Sequence, residues 1–224
     1  FFIVMADNYL EKKFEEMRSG KKKKSTAKKT HISIDSMLIR NRSCRGYDSN
    51  YKVSDNELIN IIEANTKIPS ARNQQVLRFK IATKLNKQTS GDVDFITNNI
   101  KLAGALPELH LPFKGTEPNA YIMVYSTVPE SKWVYVDLGI SVQSMLLKAV
   151  DFGLNGICIG AFNKEAISER FKVAENLIPL VVIAIGKSIE NFQLLPISEK
   201  ENHNYFRESG VHFVPKVKLS DLLI

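Results

Sequence analysis

The chain has 224 residues, of which 44% are hydrophobic and 25% charged, enough for one sizeable core in an ordinary globular protein. Its formal charge of +7 is uneven: residues 1–29 carry nine Lys or Arg against four acids, so the remainder holds only +2. No run of 18 apolar residues is present, and Cys44 and Cys158 fit neither a metal spacing nor a disulfide framework; this argues against a membrane-spanning helix and a secreted scaffold and points to the cytoplasm.

The N-terminal apolar run, Phe1 to Met5, is too short for a secretory signal. Because Met5 opens a polar leader, Phe1 to Val4 are expected to lie outside the natural translated chain. Tyr9, Leu10, Phe14 and Met17 recur at helical spacing and predict a short amphipathic helix over 8–18, stopped at Gly20. Lys21 to Lys24, with Lys28 and Lys29, follow without interleaved aromatics. That composition suits a solvated leader rather than a nucleic-acid or membrane surface. The expected organisation is a helix and lysine-rich leader over 1–30 and one domain over 31–224.

Within that domain a helix is expected from Ile34 to Asn41. Ser54 and Glu57 form a capping box, with Val53 and Leu58 placed as a hydrophobic staple, so a helix should run from Asp55 to about Asn65. Leu77 to Lys84 alternates like a strand, as does Tyr121 to Ser126. Val134 to Phe152 reads as the core helix, ended by Gly153. Gly156 to Ile159 should be a short strand, and Asn163 should cap a helix from Lys164 to Phe171. Leu180 to Ile185 is continuously apolar, as a strand buried on both faces would be. After Gly186, with Pro196 and Pro215, little periodicity is left, and this tail is not expected to stabilise itself.

Two stretches concentrate chemistry at element boundaries. In Asn41-Arg42-Ser43-Cys44-Arg45-Gly46-Tyr47, two guanidiniums at i and i+3 flank a hydroxyl and can converge on one phosphate. In Ile68-Pro69-Ser70-Ala71-Arg72-Asn73-Gln74-Gln75 the proline forces a turn that leaves amide side chains free for a heterocycle edge. His31, His110, His203 and His212 lack metal-ligand spacing, and no metal site is expected. Cys44 and Cys158 are read as small buried hydrophobes rather than catalytic thiols. Trp133, Tyr135, Phe113 and Phe162 include candidates for an aromatic wall against a planar substrate.

These two stretches resemble the FMN-dependent nitroreductases, which open with an Arg-Arg-Ser-x-Arg-x-Phe-like run and continue with a Pro-Ser-x-x-Asn-x-Gln turn. Asp137 to Gln143, Gly153 to Gly156 and Ile159 to Phe162 are similar to the family's central helix, its glycine stop and its flavin loop. Val214 to Leu219 is similar to its C-terminal phosphate-binding stretch. The resemblance implies an α+β, three-layer fold, with a central mainly antiparallel sheet flanked by helices, assembled as an intertwined homodimer whose tail wraps the partner. It implies FMN held by Arg42, Ser43 and Arg45, by Pro69, Ser70, Asn73 and Gln75, by Ile159, Gly160 and Ala161, and by Lys216 and Lys218. The Ala161 backbone amide would face flavin N5, and no side chain would be catalytic, because hydride chemistry belongs to the cofactor. NADH or NADPH would be the reductant, and a nitroaromatic, quinone or similar small planar molecule the acceptor, in a ping-pong cycle. The family often carries Arg where Asn41 stands and an acid where Gly160 stands. Arg72 occupies a variable position and is expected at the pocket mouth. The competing reading is a non-catalytic flavin- or ligand-binding protein on the same fold.

Overall fold

In the computed structural model, residues 32–102 and 111–224 are described. The expected N-terminal helix, the lysine leader and Phe1 to Val4 lie outside them. The order of elements is α1 (Ile34–Arg40), α2 (Asp55–Ile62), β1 (Leu77–Thr83), α3 (Ser90–Asn98), β2 (Ala120–Ser126), α4 (Lys132–Asp151), β3 (Asn155–Ile159), α5 (Lys164–Arg170), β4 (Ile178–Gly186), β5 (Asn191–Ile197), β6 (Phe206–Glu208) and β7 (Val211–Val217).

Local signals set most boundaries. The Ser54 hydroxyl accepts from the Glu57 amide while the Glu57 carboxylate accepts from the Ser54 amide, so the capping box starts α2 as expected. That helix ends earlier than its periodicity suggests, tightening into a 3-10 turn over Glu63–Thr66. Ser131 and Asn163 cap α4 and α5 through their side chains. Gly153 adopts φ 75° after α4, a conformation that L side chains disfavour.

Strands β1, β2, β4 and β3 form, in that order, an antiparallel sheet. Alternation along its central strands divides two cores. Ile122 and Val124 of β2 and Ile183 and Ile185 of β4 pack with Leu58 and Ile61 of α2 and Leu138, Val142 and Met145 of α4. Tyr121 and Met123, with Val182 and Ala184, face the other way onto Val93 and Ile96 of α3 and Ile167 of α5. Helices therefore cover both faces of the sheet, which is the expected three-layer α+β arrangement.

The tail departs from expectation. It forms a second sheet in the order β5, β7, β6, with β5 parallel to β7 from Asn191 opposite Val211 to Ile197 opposite Val217. β6 pairs only with Val211 to Phe213, so Pro215 has a strand neighbour on one side alone, where a missing amide is tolerated. The prolines and short strands hide the two-residue period from a sequence reading.

Candidate functional site

Residues 41–48 run as a ribbon between the two sheets. Asn41 ends α1, with its amide donating to the Met37 carbonyl. Ser43 then bridges Gly156 in parallel, and the Cys44 amide donates to the Gly156 carbonyl at 3.2 Å, which adds the ribbon to the free edge of β3. Gly156 is required there: an added Cβ would lie 2.6 Å from the Ala184 carbonyl oxygen and 2.7 Å from the Leu146 side chain. Tyr47 bridges Ser188, and the Ile189 amide donates to the Gly46 carbonyl, so the same ribbon anchors the start of the tail. The Arg45 amide donates to a Glu190 carboxylate oxygen at 2.7 Å, and Glu190 also pairs with Arg207.

A cleft of about 450 Å³ opens where this ribbon meets α1, α4 and β7. Arg42, Ser43, Arg45 and Lys216 line it together, as the sequence reading expects, with Asn41 donating to Gln143 at 3.2 Å on its wall. Among the described residues, no carboxylate lines it. The Arg42 guanidinium donates to the Leu38 carbonyl at the end of α1, where the helix dipole favours a cation. Its Nε is buried without a partner among the described residues, and burial lowers its pKa. Arg45 is more constrained than a free anion ligand: Nε donates to the Leu102 carbonyl at 2.7 Å, Nη1 to the Ser43 carbonyl at 3.1 Å, and its guanidinium lies 4.7 Å over the Tyr205 ring.

Phe192, Tyr205 and His212 supply, beside Val214, an aromatic and apolar side of this cleft, and none of the three is among the site residues expected from the sequence. His212 is buried, with Phe192 and Tyr205 at ring separations of 5.5 and 5.2 Å. Burial, and the cations of Arg207 and Arg45, push its pKa down to about 4. The alternation His212-x-Val214-x-Lys216 is the one trace of this face in the sequence. Lys218, two residues beyond, falls outside the cleft lining.

Ile159, the last residue of β3, and Gly160 and Ala161 just after it also fall outside the cleft lining. They are tied to the ribbon indirectly. The Lys101 amide donates to the Ala161 carbonyl at 2.9 Å, and the next residue, Leu102, accepts from Arg45. Among the described residues nothing lies within 4 Å of a Cβ built on Gly160, so that position has room for a side chain.

The second stretch lies elsewhere. Pro69, Ser70 and Gln75 line an apolar groove of about 480 Å³ together with Ile59, Ile62 and Phe79, and this groove shares no lining residue with the cationic cleft. Asn73 and Gln75 are partly self-satisfied: Gln75 Nε2 donates to Asn73 Oδ1 at 3.2 Å, and the Gln75 amide donates to the Ser70 hydroxyl at 3.2 Å. Asp137 of α4 anchors the turn by accepting from the Ala71 amide at 2.8 Å. Arg72 is exposed, as expected.

The two cysteines divide. Cys44 is fully buried, with burial and the nearby Glu190 raising its thiol pKa to about 12, so no thiolate forms near neutrality. Cys158 is exposed, not buried. Trp133, Tyr135 and Phe113 are exposed as well.

The sequence pattern of the Nitroreductase family matches residues 39–187, well over half of the chain. The protein belongs to the nitroreductase family. It is thereby an oxidoreductase. The match includes the Arg42 ribbon, the Ser70 turn and the Ala161 loop, while Phe192, Tyr205, His212 and Lys216 lie beyond it. Two Bacillus subtilis proteins provisionally named NAD(P)H nitroreductases are relatives. YodC is 22% identical over 66% of this chain and 86% of its own length, and YdgI is 26% identical over 66% and 85%. Among solved structures, a nitroreductase from Exiguobacterium sibiricum in complex with FMN has a TM-score of 0.57 at 20% identity, covering 73% of this chain and 92% of its own. The FMN- and NADPH-dependent nitroreductase NfnB of a Sphingopyxis strain, in a mutant form, has a TM-score of 0.58 at 16% identity, covering 70% and 89%. At these identities the structures speak for the shared fold. Among the described residues no helix is long and apolar enough to cross a membrane.

Proposed function

We propose that the protein is an FMN-dependent NAD(P)H oxidoreductase that passes reducing equivalents to a nitroaromatic, quinone or similar planar acceptor by a ping-pong cycle. The observation that carries this reading is the cleft at Arg42: three cationic side chains, the Ser43 and Tyr205 hydroxyls and two amides around about 450 Å³, with no carboxylate among the described residues of its lining. An anionic phosphate fits such a lining, and the unpartnered buried Nε of Arg42 is a donor that a bound phosphate would satisfy. FMN held in this cleft would supply the hydride-transfer chemistry between NADH or NADPH and the acceptor.

The chain's own residues bind and orient. Arg42, Ser43 and Lys216 would hold the phosphate end, while Arg45, fixed by the Leu102 and Ser43 carbonyls, would place a positive charge beside the ring system. The Ala161 amide, on a loop tied to Lys101, would address the reactive edge, with Lys218 near the phosphate. Pro69, Ser70 and Gln75, with Asn73 bonded to Gln75, would meet the flavin of a second copy, because the groove that the first three line is separate from the cationic cleft. A homodimer also accounts for Ile34, Leu38 and Ile39 on α1 and Leu222, Leu223 and Ile224 at the tail, all exposed in the single chain.

The visible spectrum of the purified protein, with and without added FMN and then with NADPH or NADH under anaerobic conditions, tests the proposal. Flavin bands that bleach are expected. A flavin that binds and stays oxidised with both nucleotides, or no flavin binding, would replace the enzyme with a ligand-binding protein.

A further inference from the structure

The turn after Ser70 holds three non-glycine residues at positive φ: Arg72 at 52°, Asn73 at 54° and Gln75 at 49°. Asparagine bears this conformation readily, whereas arginine and glutamine do so at a steric cost that surrounding structure must sustain. The anchoring contact is the bond from the Ala71 amide to Asp137. Beside the turn lies a recess of about 290 Å³ lined by Arg72, Gln74, Ser131 and Trp133, with Val76 and Asp137 on its inner wall. Val76 and Asp137 also line the groove that contains Pro69, Ser70 and Gln75, so the two hollows share a wall.

Charge and surface in this recess are unmatched. Arg72 enters none of the ion pairs among the described residues. Asp137, the carboxylate on the wall, is 5% exposed and already bonded to Ala71. Trp133 is 56% exposed, and Lys132 Nζ lies 5.2 Å from its ring centre, which adds a second cation to the same patch. An exposed indole that shares its recess with Arg72 and has Lys132 beside its ring is a platform for a flat, electron-poor, negatively charged ring.

We propose that this recess selects acceptors bearing an anionic substituent, with the aromatic ring stacked on Trp133 and a carboxylate or sulfonate paired with Arg72. A planar guanidinium takes a carboxylate through two parallel N–H donors, which a neutral or cationic ring cannot use. The inference rests on the oxidoreductase reading above, in which the adjoining Ser70 groove faces the flavin.

Trp133 is the single tryptophan of the chain, so its fluorescence reports on the recess directly. The full-length protein is titrated with 4-nitrobenzoate, 4-nitrobenzyl alcohol and 4-nitrobenzylamine, at low and high salt. The anion should bind about tenfold more tightly than the alcohol, the size of one charge-assisted hydrogen bond, and salt should narrow that gap. Arg72→Asn, which suits the left-handed backbone, should abolish the preference, and Arg72→Lys should keep part of it. Equal affinities in the wild type, or an unchanged preference in Arg72→Asn, would overturn the proposal. Flavin bleaching is read separately: bleaching without anion preference refutes the recess alone, and anion preference without flavin reduction refutes its role in choosing an acceptor.

Discussion

The Arg42 cleft and the Ser70 turn are made by opposite means. In the cleft, one ribbon is held on both sides by backbone pairing, to Gly156 of β3 and to Ser188 of the tail, and positive charge is packed together with no acid among the described residues of the lining. In the turn, an exposed apolar groove is bordered by strained residues whose side chains satisfy one another. Under the proposed function the first would take the anionic phosphate, and the second would be covered by a second copy of the chain. Two such unlike regions, with no lining residue in common, are consistent with the proposed site completed by a second copy.

The sharpest test of that contrast removes the charge from the cleft. Arg42→Ala combined with Lys216→Ala should lower FMN affinity by at least about a hundredfold, from two charge-assisted contacts worth roughly 1.5–3 kcal/mol each. Flavin fluorescence on titration measures it, and full FMN content after purification would place the phosphate elsewhere. Riboflavin, which lacks the phosphate, should bind the double variant and the wild type about equally.

A change on the other side should have a different signature. Asp137→Ala leaves the Ala71 amide without its acceptor and frees the turn from α4. A stability loss of about 1.5–3 kcal/mol is expected from a lost charge-assisted bond, seen as a lower denaturant midpoint. The residues proposed to hold the FMN phosphate lie apart from this residue, so the relative affinity for FMN over riboflavin should persist. Loss of that ratio would show the two regions to be one coupled unit.

The difference between the halves also explains what can be read in advance. The Ser54–Glu57 box, the Gly153 stop and the β2 strand follow from local rules, and each appears in the structure at its expected place. Arg42, Ser43 and Arg45 are legible because they sit within a few residues of one another. The partners on the far wall are not. Phe192, Tyr205 and His212 reach the cleft through a sheet in which β5 runs parallel to β7, a long-range pairing that proline-containing strands do not announce. The end of α2 escapes the apolar period as well: the chain tightens into a 3-10 turn over Glu63–Thr66, where Asn65 Oδ1 accepts from the Ser141 hydroxyl of α4, a contact distant in sequence.

His212 gives the smallest and most specific effect. Its pKa is lowered to about 4 in the folded protein, first by burial and then by Arg207 and Arg45, with Glu190 opposing them, against an ordinary value near 6.5. Between those two values the unfolded chain binds a proton that the folded chain does not, so stability rises with pH through this window and is lost as the pH falls from about 6.5 toward 4. His212→Phe keeps a ring for Phe192 and Tyr205 and removes the titration. Its denaturant midpoint should therefore depend less steeply on pH between about 6.5 and 4 than that of the wild type, while the two curves run parallel above about pH 7. Parallel curves throughout would mean that His212 takes up its proton as readily in the folded protein as in the unfolded chain, so that neither its burial nor the cations of Arg207 and Arg45 depress it there.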